Sequence, residues 1–386
     1  MSAQFGMCIV NLEAGKAGAR NAGFDVLRAC MTVLVLFHHA AITYGAIGGW
    51  YYREVKPAAS LPGTLLVLFC TTNQAYFMGL FFLVAGYFTP AAIARKGSWR
   101  YLADRGLRLG VPLLFYGWVL APITIALAAT SRGHSFGDTL VPLWQRHTFE
   151  NGPLWFAQAL LIFAVAAVAC ARRAARPSDR DDALPDASRP WPSNGVLALA
   201  ALCTGIAALA LRHFWPVGVN AWGLQLGYFG SYVVLFAFGF VAAGPRWLER
   251  VPAAQARFWK RVALVAFPVL PAAYFIAKAL PPLAGEPLGV IYAFWEPLVA
   301  WGVILVLLQR FATGSRAFGR FPRWLGRRAY AVYIIHPPVL VAIALAWRQV
   351  QAPQLVKFAL TGSLACVACY LLADLLVRLP GARRIV

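Results

Sequence analysis

Residues 24–48 read FDVLRACMTVLVLFHHAAITYGAIG. Asp25 and Arg28 stand near one end and His38 and His39 lie deeper; almost everything else is apolar. Crossing about 30 Å of hydrocarbon takes roughly 20 such residues. A helix is the only open-chain form that satisfies its own backbone groups in lipid. Comparable stretches recur at Leu61–Phe88, Leu107–Thr130, Pro153–Cys170, Val196–Leu211, Leu224–Ala243, Val262–Leu280, Gly289–Phe311, Ala329–Trp347 and Leu355–Val377. The shortest is Val196–Leu211. The fold class is therefore all-α: a polytopic membrane protein of about ten transmembrane helices.

Composition agrees. The chain is 60% hydrophobic with a mean hydropathy of +0.64, against roughly 45–50% apolar residues in soluble domains. Its 14% of aromatic residues suits two interfacial belts. A net charge of +21 would suggest nucleic acid in a soluble protein. Here topology accounts for it. With both termini cytoplasmic, 27 of the 35 Lys and Arg fall in cytoplasmic segments, as expected for residues that resist translocation. Contact with anionic lipid completes that account; the alternative is a role in holding a polyanionic cytoplasmic substrate. Nucleic acid is excluded as a partner, and the protein is placed in the cell (cytoplasmic) membrane.

Residues 1–23 form a cytoplasmic N-terminal segment without a separate signal sequence. Residues 24–378 form the membrane domain, and 379–386 a cytoplasmic tail. Within the domain, 172–194 carries four Asp (Asp179, Asp181, Asp182, Asp186) and four Pro (Pro177, Pro185, Pro190, Pro192), the composition of a disordered loop. The seven Cys lie mainly in apolar segments, so neither a disulfide framework nor a metal site is expected; Cys366 and Cys369 read as packing.

Ionisable groups in a membrane cost from about 2.5 kcal/mol each at the bilayer centre, which makes them functional candidates. Arg28 and His39 are about three turns apart on one helix face, roughly 16 Å along the axis, while His38 points about 100° away. One face thus carries a cation near the cytoplasm and a titratable base deeper in. The plain alternative is a His39 hydrogen-bonded to a neighbouring helix.

Five segments together resemble acyltransferase family 3, the integral-membrane O-acyltransferases. They are Asp25-Val26-Leu27-Arg28 followed by His39; Phe81-Phe82-Leu83-Val84-Ala85-Gly86-Tyr87; Tyr101-Leu102 with Arg105, Arg108, Leu109 and Pro112; Gly152-Pro153-Leu154-Trp155-Phe156; and Tyr333-Ile334-Ile335-His336-Pro337. Ala85 stands where the family usually has Ser, and Pro153 where it often has His.

The resemblance implies transfer of an acyl group, usually acetyl, from cytoplasmic acyl-CoA to a hydroxyl of an extracytoplasmic glycan or lipid-linked carbohydrate. His39 would be the general base or form a covalent acyl intermediate, with Arg28 on the donor path and Asp25 orienting it. Arg105 and Arg108, at i, i+3, would grip the CoA phosphates; ordinary topology-setting arginines are the alternative. Glu150, Trp155, Glu296 and His336 are candidates for acceptor binding. Glu296 precedes Pro297, a context that equally fits a kink with a satisfied carboxylate. A transporter or flippase would also place charges and prolines in helices, but no internal repeat supports it.

Overall fold

The computed structural model describes residues 21–58, 60–174, 189–280, 285–313 and 318–382; most of the loop expected at 172–194 lies outside them. The described residues contain eleven helices and no strand. They are α1 Ala22–Thr43, α2 Leu61–Lys96, α3 Ser98–Thr130, α4 Phe136–Gln145, α5 Trp155–Ala174, α6 Asn194–Phe214, α7 Phe229–Ala242, α8 Ala253–Ala279, α9 Glu286–Phe311, α10 Arg320–Ala346 and α11 Gln354–Leu376.

Nine of these are long and apolar enough to cross a membrane. The remaining expected segment, the sixth, is α7, extended by a turn to Leu226–Ala242 but still short. The expected short helix, the fifth segment, is in fact full length. Ser193 caps its start by accepting from the Val196 amide, and it continues past Leu211 because Arg212 finds a carboxylate inside the protein.

Other boundaries also differ from expectation: α2 runs on to Lys96, α3 starts at Ser98 and α10 at Arg320. α8 starts at Ala253 and carries Gln255, Arg257, Lys260 and Arg261 on its first turns; hydropathy does not reveal that polar start. α1 stops at Thr43, not at Gly48. Gly45 and Gly48 then take positive φ of 116° and 155°, which favours glycine and turns the chain back toward the helix bundle. α4 was not expected, being only ten residues long. It doubles back along α3, where the Trp144 indole donates to the Trp118 carbonyl at 3.1 Å.

Lipid offers no hydrophobic drive between helices, so close backbone approach matters. α2 and α7 meet through reciprocal glycines: a Cβ on Gly86 would strike the Phe236 backbone, and one on Gly239 the Leu83 backbone. α10 lies on α1 in the same way, with Gly326 against the Asp25 carbonyl. The Asn21 side chain donates to the Ala312 carbonyl at 2.8 Å, which gathers the start of α1 and the end of α9. At the opposite end of α1, the buried Lys357 of α11 pairs with Glu54, and the Gln354 side chain donates to the Tyr44 carbonyl. The connection 44–60 is thereby pinned over the end of α1.

Candidate active site

His39 lies one turn from the end of α1, beneath that pinned connection. Its ring stacks on Trp50 from the connection, with centroids 4.0 Å apart and planes 11° from parallel. On its other side is His336 of α10, 5.1 Å away at 14°. His39 Nδ1 and His336 Nε2 are 3.0 Å apart. His336 Nδ1 in turn lies 2.7 Å from the Tyr333 carbonyl oxygen. His336 is 0% exposed, whereas His39 is half-buried. No described residue hydrogen-bonds His39 Nε2.

His38, its neighbour in sequence, is placed quite differently. It stacks on Phe77 at 5.1 Å, and its buried Nδ1 has no hydrogen-bond partner among the described residues.

The stack continues down α10. Tyr333 lies 5.9 Å from His336, and Tyr330 lies 6.4 Å from Tyr333. Positions 330, 333 and 336 recur every three residues, which keeps them on adjoining parts of one helix face. A column of five rings therefore runs Tyr330, Tyr333, His336, His39, Trp50. Its far end meets α3: the Tyr330 hydroxyl donates to the Arg108 carbonyl at 2.9 Å, and the Arg105 charge is within electrostatic reach of Tyr330.

The two arginines of α3 have different surroundings. Arg108 is 53% exposed in its side chain and pairs with Asp104 at 3.2 Å; Asp104 also holds Lys96 at 2.9 Å. Arg105 is half-buried, its guanidinium 5.2 Å from the Tyr101 ring centre. Its Nε is buried with no hydrogen-bond partner among the described residues. From just after Arg105 the helix winds as a π turn over Gly106–Gly110, which includes Arg108, a local widening frequent at functional sites. Arg28 is held at 2.6 Å by the buried Asp25, one turn before it.

The residues expected to handle an acceptor divide. Glu150 is exposed and accepts from the Gly152 amide at 3.3 Å. It stands beside Tyr51, whose hydroxyl is 3.0 Å from that of Tyr116. Burial pushes the Tyr51 phenol up; its hydrogen bond to Tyr116 opposes this, and the Glu150 carboxylate adds to it. Gly152 packs against both hydroxyls, and the Tyr333 hydroxyl donates to the Pro153 carbonyl. Glu150 thus belongs to the rim around the ring column. Trp155 lies away from it, stacked 5.6 Å from Tyr232. Glu296 is only 3% exposed and is ion-paired with Arg212. Arg212 also lies over the Tyr228 and Tyr292 rings, at 5.3 and 4.6 Å.

Trp50, Tyr51, Tyr116 and Tyr330 escaped the sequence reading. Trp50 and Tyr51 sit in a connection with no periodic pattern, and the tyrosines are ordinary members of apolar helices. No group of three or more His, Cys, Asp or Glu suited to a metal is found among the described residues.

A family model described as an acyltransferase domain matches residues 21–377. No curated protein and no solved structure matches the chain.

Proposed function

The chain belongs to the acyltransferase family whose model it matches over nearly its whole length, and from that premise we propose that it moves an acyl group, acetyl first among candidates, from acyl-CoA to a hydroxyl. The acceptor would be an extracytoplasmic glycan or lipid-linked carbohydrate, with both chain termini in the cytoplasm of a cell-membrane protein. The observation that carries these roles is the ring column. Its Tyr330 end bonds the Arg108 carbonyl, three residues from Arg105, whose buried Nε has no hydrogen-bond partner among the described residues; near its Trp50 end stands His39, whose Nε2 no described residue bonds.

The division of labour follows from the distances. A guanidinium matches phosphate oxygens with forked hydrogen bonds. Arg105, with Arg108 three residues on, supplies that charge at the end where the positive residues gather. The flat rings above it offer an apolar wall for the thioester arm of the donor. His39 stands where the thioester would meet the hydroxyl. An imidazole titrates near 6.5 in water and can take and return a proton at neutral pH. A positioned base of this kind contributes about 10²–10⁴ in rate. Glu150 and Tyr51, on the opposite rim, present a carboxylate and a phenol to the acceptor.

The test is sidedness. In proteoliposomes of known orientation, acetyl-CoA supplied on the Arg105 side should release free thiol and label an acceptor on the Glu150 side. Turnover only when acetyl-CoA is supplied on the Glu150 side would overturn the proposal.

A further inference from the structure

The Tyr333 carbonyl should be occupied by the amide four residues on, as in any α-helix. That residue is Pro337, which has no N–H. The vacated oxygen is the one lying 2.7 Å from His336 Nδ1. A carbonyl oxygen can only accept, so Nδ1 of His336 carries the proton. His336 is wholly buried, and no carboxylate hydrogen-bonds it among the described residues. A neutral imidazole carries one N–H, so Nε2 of His336 is a lone pair.

That lone pair faces His39 Nδ1 at 3.0 Å. His39 Nδ1 must then donate, and His39 Nε2 is left with the lone pair. We infer that His336 is a positioning residue for the transfer: with the carbonyl freed by Pro337, it holds His39 in the one tautomer whose Nε2 can act as base. The inference rests on the reading of His39 as the base. Tautomers are set in this way by whatever the second ring nitrogen bonds. A nucleophile's base is commonly oriented by such a third group.

The proton bookkeeping closes. His39 Nε2 takes the acceptor O–H proton as the oxygen bonds to the thioester carbon. The C–S bond breaks with its electron pair on sulfur, and the proton passes from Nε2 to that sulfur. While His39 is protonated, its Nδ1–H still donates to His336, so the transient cation is stabilised. The titratable groups against the pair are His38 on α1 and Tyr333 on α10; beyond Trp50 lies Tyr51 of the connection, bonded to Tyr116 of α3. On α11, Lys357 is already neutralised by Glu54.

The test compares full-length His336→Phe, which keeps a flat ring but no acceptor, with His336→Gln, whose Oε1 can accept from His39 Nδ1. For His336→Phe, kcat should fall about 100-fold with KM for acetyl-CoA unchanged, well short of the roughly 10⁴ lost when a triad histidine is left in the wrong tautomer. The acidic limb of its kcat profile should move to lower pH, because the imidazolium has lost its acceptor. His336→Gln should recover at least about tenfold of that loss and return the limb toward the parent position. Should His336→Phe not fold, His336→Leu provides the acceptor-free comparison. Equal impairment of the Phe and Gln variants with an unmoved limb would overturn the inference, as would an unimpaired Phe variant. Full activity in His39→Ala would instead remove the base reading, and the inference with it.

Discussion

α9 and α10 carry the same local device: a titratable residue followed by proline in the middle of a membrane helix, Glu296-Pro297 in one and His336-Pro337 in the other. Both residues are buried, yet they end in opposite states. Glu296 is neutralised by Arg212 within a cluster of tyrosines. His336 pairs with His39, whose Nε2 has no hydrogen-bond partner among the described residues. The first is a closed electrostatic circuit between α6 and α9, suited to holding helices together. The second is an open one, suited to moving a proton. A proline beside a polar group therefore marks a place where the helix ladder is broken; the partner across the interface decides what the break is for.

The largest expected effect tests the closed circuit. Glu296→Ala leaves the Arg212 guanidinium buried without its carboxylate, and removing one member of a buried pair costs about 3–5 kcal/mol. The variant should lose most of its folded yield in detergent, and Arg212→Leu in the same chain should restore much of it. A stable Glu296→Ala protein that has lost only transfer would instead return Glu296 to acceptor binding and break the comparison.

Next comes the donor end of the open circuit. Hydrogen bonds to charged groups contribute about 1.5–3 kcal/mol, so Arg105→Ala should raise KM for acetyl-CoA at least about tenfold with little change in folded yield. Lys at that position should recover part of the loss, since an ammonium lacks the fork. An unchanged KM would leave Arg105 a topology-setting cation. Arg108→Ala should be milder, because Asp104 already holds that side chain at 3.2 Å.

The smallest effect sharpens the comparison most. Pro337→Ala restores an N–H that competes with His336 for the Tyr333 carbonyl, and should lower kcat about threefold. Pro297→Ala should leave kcat unchanged, because the Glu296 pair does not use the freed carbonyl. Equal kcat in both variants would mean that the proline at 337 plays no part in the proton path.

The helices were legible because each must be apolar for about 20 residues wherever it runs. Boundaries that rest on three-dimensional partners were not: α6 runs on through Arg212 because Glu296 awaits it, and α1 ends early because two glycines turn the chain. Individual candidate residues stood out as polar groups in apolar stretches, His39 and His336 among them. Their pairing was not, since 297 residues separate them and no periodicity reports a contact at that range. Trp50 could not have been singled out at all; the contacts of Lys357 with Glu54 and Gln354 with Tyr44, both long-range, hold the connection that lays its indole on His39.

The central claim is that His39, and not its neighbour, carries the proton, and one pair of variants tests it most directly. His38 and His39 sit side by side on α1, so a general packing defect at that depth would harm both substitutions alike. Transfer from labelled acetyl-CoA, measured alongside acetyl-CoA binding in purified His39→Ala and His38→Ala, separates packing from chemistry. The account predicts that His39→Ala still binds acetyl-CoA but loses at least about 10²-fold in turnover, while His38→Ala stays within a few-fold of the parent. An active His39→Ala, or an inactive His38→Ala that still folds and binds, would contradict it.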